Sequence, residues 1–349
     1  MKDKWLLIET DILGDKSGID GLFKEYINAV VFEERALAAE ATGIIYMSSR
    51  PKNLLYRHLP STGVDNKLAI IVMERESAQR TQRLLNSGES LKLTAKINIL
   101  GEKSYKANNV VAEIIGDTYP DEIVLIGAHI DSFDLGTGAL DNGANVSLVI
   151  DLARQIKKLD ITPKRTIRFV LFNGEEQGMY GSWGYTQTHI DELDNHVLAS
   201  TIDIGTGAIT GFFINGREEI KTTIDGVLES VVALGPFNQV IDPVVGTDNY
   251  DFMIQGVANL VANQADANYA SNYHAQSDTF EKVDQQQLKL NAAIMGATIL
   301  GIANLDEITW QRQTSEQVVK MVDLFNLEES MKTFGLQQSW KDNKRGIKH

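Results

Sequence analysis

The chain has 349 residues, 43% of them apolar and 23% charged, enough for about two domains and a large core without covalent staples. Acids outnumber bases 47 to 33, a net charge of −14, which argues against a nucleic-acid or anionic-membrane partner because both need a basic surface. Cysteine is absent, so disulfides, thiolate metal sites and cysteine nucleophiles are excluded; any metal must be held by carboxylates and six histidines.

No apolar run approaches the length of a membrane span. The opening residues 1–9 are basic at first, but acids interrupt the apolar stretch, so they read as a first strand and not as a signal peptide. That leaves a cytoplasmic protein, or one whose upstream segment is absent from this chain. Strands are predicted over 5–9, 43–47, 68–73 and 91–100, with helices over 29–41 and 77–85, where apolar residues recur at helical spacing. This is the texture of a small α/β accessory domain covering residues 1–100. From Tyr105 the pattern changes. Residues 110–115 and 123–126 are short β-branched runs, the second almost wholly apolar, as in strands buried on both faces. A helix over 144–159 follows, then a strand over 166–172, a helix over 182–193 and a strand over 198–204. Helices over 220–234 and 287–305 enclose a further strand over 257–261. Strands alternating with helices of this size imply a mixed, largely parallel sheet flanked by helices, an α/β domain spanning 101–310. Residues 311–349 read as a charged helical tail whose end, 341–349, is expected to fray.

Open parallel sheets place ligands at the carboxyl ends of their strands. There the sequence offers His129 and Asp131, then Glu175 and Glu176, then Asp203. A glycine-rich loop, 136–143, adds Asp141, and a polar loop around Tyr273, His274 and Asp278 adds a second histidine. Each fragment alone is weak. A Glu-Glu pair is ordinarily a solvated face, and a lone histidine is ordinarily structural. The glycine-rich loop lacks the phosphate-binding patterns, and Asp141 would repel an anion. The signal lies in the conjunction, because acids grouped at one rim are costly unless cations neutralise them.

The stretch from His129 through Asp141-Asn142-Gly143, the run 163–172, Glu175-Glu176-Gln177-Gly178, Gly246-Thr247-Asp248 and the segment from His274 to Asp278-Thr279 stand in a fixed order. Together they resemble the M28 family of co-catalytic zinc peptidases, and within it the plasma glutamate carboxypeptidase (carboxypeptidase Q) branch. The resemblance covers about 105–305 and implies the zinc exopeptidase fold. It implies two Zn²⁺, one on His129 and Asp203, the other on Glu176 and His274, with Asp141 bridging; Co²⁺ or Mn²⁺ would also suit these donors. Glu175 would serve as general base and then acid through a metal-bridging hydroxide, and the Asp131 carboxylate would hold the far nitrogen of His129. Asp278 would act similarly near His274. Tyr273 would support the oxyanion, or simply pack, and 246–250 would line the cleft or form a turn. The implied activity is hydrolysis of short peptides with a free N-terminus, as an aminopeptidase or dipeptidase more than a carboxypeptidase. The alternative is a non-catalytic receptor on the same scaffold, since some members have lost their ligands; here all five ligand positions are filled. A single-zinc cyclase would not need both the bridging and the flanking ligands. Residues 1–100 resemble the protease-associated domain that such enzymes carry as an insertion, so the chain begins inside that insertion. The resemblance further implies a periplasmic or secreted enzyme and is compatible with a homodimer. His58, His189, His196 and His349 carry no catalytic expectation, and Ser132 and Ser147 lack a triad.

Overall fold

The computed structural model describes residues 2–99 and 104–349. It divides into two units. The first comprises Met1–Lys106, Phe133–Thr137 and Asp266–Thr279, and the second Ala107–Ser132, Gly138–Ala265 and Phe280–His349. Among the described residues no helix is long and apolar enough to cross a membrane.

The first unit is a three-stranded parallel sheet, β1 (Trp5–Ile8), β2 (Gly43–Met47) and β3 (Ala69–Met73), in that order. Parallel neighbours need a crossover, and α1 (Gly18–Ala38) provides it between β1 and β2. Ala36 of α1 packs with Ile44, Tyr46 and Leu68 in a small core, and α2 (Arg75–Asn86) follows β3. Glu33 is buried among them without cost in unmet hydrogen bonds. It faces His58 Nε2 at 2.8 Å and accepts from the Ser61 amide and hydroxyl at 2.8 and 2.7 Å. Burial pushes the Glu33 pKa up, but these partners outweigh it and hold the group below its ordinary value. A cavity of about 370 Å³ opens between α1 and residues 9–13, with Tyr46 and Tyr56 in its wall.

The second unit is a six-stranded mixed sheet. Its strands are β4 (Val110–Ile114), β5 (Tyr119–His129), β6 (Arg165–Phe172), β7 (His196–Thr201), β8 (Ile209–Phe213) and β9 (Asn259–Gln264), arranged β4-β6-β5-β7-β9-β8. The four central strands are parallel, and the edges β4 and β8 are antiparallel. Side chains alternate across the sheet, so β5 serves two cores. Val124, Ile126 and Ala128 join one face with Leu148, Val149, Leu152 and Ile156 of α3 (Ala144–Lys158) and with the helix Gln285–Ala303. Ile123 and Leu125 join the other with Tyr185 of α4 (Tyr180–Thr188). On that side, too, the Val318–Trp340 region builds a cluster with Tyr250, Met253 and Ile254. After β5 the chain moves to β6 on one side and then returns to β7 on the other. The carboxyl ends of β5 and β7 therefore flank a switch point, where α/β sheets leave a crevice.

The mixed, mostly parallel α/β sheet agrees with the sequence expectation. Three local expectations need correction. Residues 91–99 form no strand, and Leu100 lies outside the described residues. The alternation of Leu91, Leu93, Ile97 and Ile99 reads as half-buried, but Ile99 is 85% exposed and no described strand pairs with the segment. The helix expected over 220–234 is α5 (Lys221–Leu228) followed by a looser helical turn, Glu229–Leu234, and the antiparallel edge β8 and the short helix α6 (Asn249–Ile254) are elements the pattern did not indicate. The end of the chain does not fray: Trp340 and Arg345 are buried.

His196, on the first residue of β7, shows what this burial costs. Its Nδ1 faces the Glu192 carbonyl at 2.9 Å and its Nε2 the Tyr185 hydroxyl at 2.8 Å, while Arg168 donates to that same hydroxyl oxygen at 2.6 Å. Tyr185 therefore donates to the ring, which stays neutral. Burial pulls its pKa from the ordinary 6.5 to about 4. The unfolded chain takes up the proton first, so this stability is complete above pH 6.5 and is lost as pH falls towards 4, by about 3 kcal/mol. The expected outcome is a melting temperature that drops more steeply over this range in the wild type than in His196→Gln. Parallel curves would refute it.

Candidate metal centre

Strand register brings the first two donors together. Gly127 of β5 pairs with Thr201 of β7, so two residues further on His129 stands beside Asp203. Gly127 is required there, since a Cβ would meet the Phe172 ring at 2.4 Å. His129 Nε2 lies 2.8 Å from Asp203 Oδ1 and 3.1 Å from Asp141 Oδ1. Candidate ligand atoms of these three residues all fall within 4.8 Å of one another, and Asp141 lies within the same distance of Glu176.

Asp141 reaches this point on the tight turn Ala139–Gly143, which leads into α3. Gly138 enters the turn with φ +64°, a conformation that favours glycine, and a Cβ there would strike Ser132 at 2.3 Å. Asn142 donates to the Ile202 carbonyl at 3.0 Å, and Asn145 donates to Asn142 Oδ1 at 2.7 Å and to the Gly205 carbonyl at 3.2 Å. The two amides fasten the turn to the strand end that carries Asp203.

Asp131 departs from expectation in a specific way. The far nitrogen of His129 is met by the main-chain oxygen of Asp131 at 3.0 Å, and the carboxylate stands 3.8 Å away. The carboxylate instead accepts the amides of Glu175 and Glu176 at 3.1 and 3.2 Å. It is drawn there because the loop after β6 turns through left-handed Gly174 and leaves two adjacent N–H groups to satisfy.

This arrangement fits a divalent cation. A carbonyl only accepts, so His129 Nδ1 carries the hydrogen and Nε2 turns its lone pair on two carboxylate oxygens. Three acceptors facing one another in a buried space need a proton or a metal between them. Without a metal, protons fill the role. Burial would lower the His129 pKa, yet the Asp203 charge, with Asp141 and Glu175, lifts it well above 6.5. Burial lifts Glu175 well above 4.5, opposed by His129 and reinforced by Asp203, Glu176 and Asp248. Asp248, immediately before α6, is pushed up to about 7, chiefly by burial. Imidazole and carboxylate donors are those of zinc, cobalt or manganese sites.

The remaining expected residues lie in the first unit. His274 has φ +54°, left-handed for a non-glycine residue. Tyr273 stacks on its ring at 3.6 Å between centroids, and the Tyr273 hydroxyl lies 2.9 Å from that of Tyr26. Arg50 Nε donates to the Tyr273 carbonyl at 2.8 Å while its Nη1 meets both oxygens of Glu25 at 3.1 Å. The Asp278 main-chain oxygen accepts from Thr137, N–H at 2.8 Å and hydroxyl at 3.1 Å. In the second unit, Ser147 donates to the Gly143 carbonyl one turn earlier in the chain. Sequence reasoning missed Asn142, Asn145, Arg50 and Arg345. Of these only Asn142 and Asn145, beside the glycine-rich turn, had a readable local signal.

An α/β sheet with an imidazole–carboxylate cluster at its switch point is thus on view, and comparison with known proteins places it. Residues 109–299 match the family model "Peptidase family M28", and the chain belongs to that family. It is 30% identical over 298 residues to carboxypeptidase Q of Bos taurus, covering 82% of this chain and 62% of that one. It is 26% identical over 290 residues to aminopeptidase YwaD of Bacillus subtilis, covering 77% and 60%. A solved peptidase M28 precursor from Shewanella amazonensis superposes with TM-score 0.75 at 28% identity, covering 90% of this chain and 72% of that one. The chain spans about three fifths of the length of these curated relatives.

Asn145→Ala should cost about 1–3 kcal/mol in urea unfolding, since it leaves Asn142 Oδ1 buried without its donor and the Gly205 carbonyl with Gln264 Nε2 alone. An unchanged midpoint and slope would show that these bonds contribute nothing.

Proposed function

We propose that this chain is a dinuclear zinc exopeptidase that hydrolyses short peptides with a free N-terminus, as an aminopeptidase or dipeptidase. The observation that carries the reading is His129 Nε2 facing Asp203 and Asp141 with its Nδ1 already committed to a carbonyl. The proposed ligands are His129 and Asp203 for one ion, Glu176 and His274 for the other, and Asp141 for both. Three carboxylates and one hydroxide balance two divalent charges. When bound, such a pair of ions acidifies a water from about 15.7 towards roughly 7 and polarises the scissile carbonyl.

The chain's own residues do the rest. Glu175 takes the proton of the attacking water and hands it to the leaving amine. Asp131 fixes the His129 tautomer through its carbonyl and the Glu175 and Glu176 backbone through its carboxylate, tying the ends of β5 and β6 together. Tyr273 is proposed to support the oxyanion, Asp278 to steady the His274 loop, and the fold to act as a homodimer.

A metal count and a dipeptide panel test the reading. Turnover should vanish with a chelator and return with zinc or cobalt. Glu175→Ala should lose roughly 10²–10⁴-fold in kcat while keeping two metals per chain. Full turnover by that variant would remove Glu175 from its role. Well under two metals per loaded wild-type chain would favour the receptor reading.

A further inference from the structure

The loop that carries Glu175 and Glu176 is held on one side by Asp131. Its other side is held from the far end of the chain. Gly178 and Met179 both donate their amides to the Glu175 carbonyl at 2.8 Å. To do so they adopt left-handed backbone, φ +112° and +57°, and Met179 has no glycine's freedom there. Surroundings must hold such a conformation. The start of α4 holds part of it, since the Met179 carbonyl accepts from the Trp183 amide and the Ser182 hydroxyl at 3.1 Å, and Arg345 holds the rest. Its Nη1 donates to the Gly178 carbonyl at 3.0 Å and its Nη2 to the Met179 carbonyl at 3.1 Å. Nε and Nη2 meanwhile grip both oxygens of Asp251 on α6 at 2.7 Å. The Arg345 side chain is 4% exposed and that of Asp251 1%, and Ser182 of α4 adds a donor to Asp251 at 2.8 Å. One planar guanidinium therefore spends its donors in two directions, which a lysine ammonium on the same stem cannot reproduce.

We infer that Arg345, paired with Asp251, is a positioning residue for the base Glu175 and the ligand Glu176, acting through residues 178–179 on the Glu175 carbonyl. The tail is then part of the catalytic apparatus and more than a stabilising cover. This rests on the roles proposed above for Glu175 and Glu176.

Four variants of the full chain separate the cases: Arg345→Lys, Asp251→Asn, Glu175→Ala and Met331→Ala. The last empties part of the tail's own apolar cluster and leaves the Arg345–Asp251 pair untouched. Each is measured for dipeptide kcat and KM, thermal unfolding, and zinc affinity in competition with a chromogenic chelator. Arg345→Lys and Asp251→Asn should lose roughly 10–100-fold in kcat and in zinc affinity, with KM within about threefold of wild type. Met331→Ala should melt earlier with both properties intact. If Arg345→Lys does not fold, Asp251→Asn, which keeps the side-chain shape, decides alone. A folded Arg345→Lys or Asp251→Asn with wild-type kcat and zinc affinity overturns the inference, as does a Met331→Ala that loses as much. Full turnover by Glu175→Ala overturns the base assignment instead, and this inference falls with it.

Discussion

An imidazole nitrogen and two carboxylate oxygens that face one another in a largely buried crevice constrain everything around them. Such a cluster opposes folding unless a cation relieves it, so the scaffold must hold it open against its own repulsion. The structure does this with the stiffest parts available. His129 and Asp203 stand on paired parallel strands whose register fixes their separation. Asp141 stands on a turn pinned by two asparagine amides, and Glu176 on a loop whose amides are claimed by Asp131. None of the four depends on a long surface side chain for its place.

The loops bearing site residues share a second device. Around Glu175 and around His274 the backbone enters the left-handed region at a residue other than glycine. In each loop a buried arginine donates to main-chain carbonyls while a carboxylate neutralises it: Arg345 with Asp251, and Arg50 with Glu25. The pairing lets a full charge be buried at positions where it serves geometry, because a carboxylate neutralises each guanidinium.

Much of this was legible in the sequence, for definable reasons. Strands buried on both faces write themselves as apolar runs, so β5 and β6 were readable, and polar residues at their ends marked the rim. The candidate ligands of the second unit were readable because His, Asp and Glu recur together at several strand ends of one sheet, although each alone has ordinary structural uses. Other features depend on tertiary partners. In β8, Gly211 interrupts the pattern because a Cβ there would meet the Asn238 carbonyl at 2.0 Å, a constraint invisible along the chain. Whether Asp131 offers His129 its carbonyl or its carboxylate depends on which amides lie near, and those belong to residues more than forty positions away. Arg345 sits in a run of lysines and asparagine that reads as solvated, and only the fold supplies its carboxylate.

The Asp131 contact has a consequence for how such chains can vary in length. The imidazole and the acidic loop communicate through one residue, Asp131, whose carbonyl meets the first and whose carboxylate accepts the amides of the second. Beyond the Asp141 turn, the far end of α3 and the turn after it, exposed over 157–160, contribute packing but no contact to this link. Insertions at that distal turn can therefore accumulate without disturbing the chemistry, whereas a single residue added between 129 and 131 would separate the two strands' functions at once.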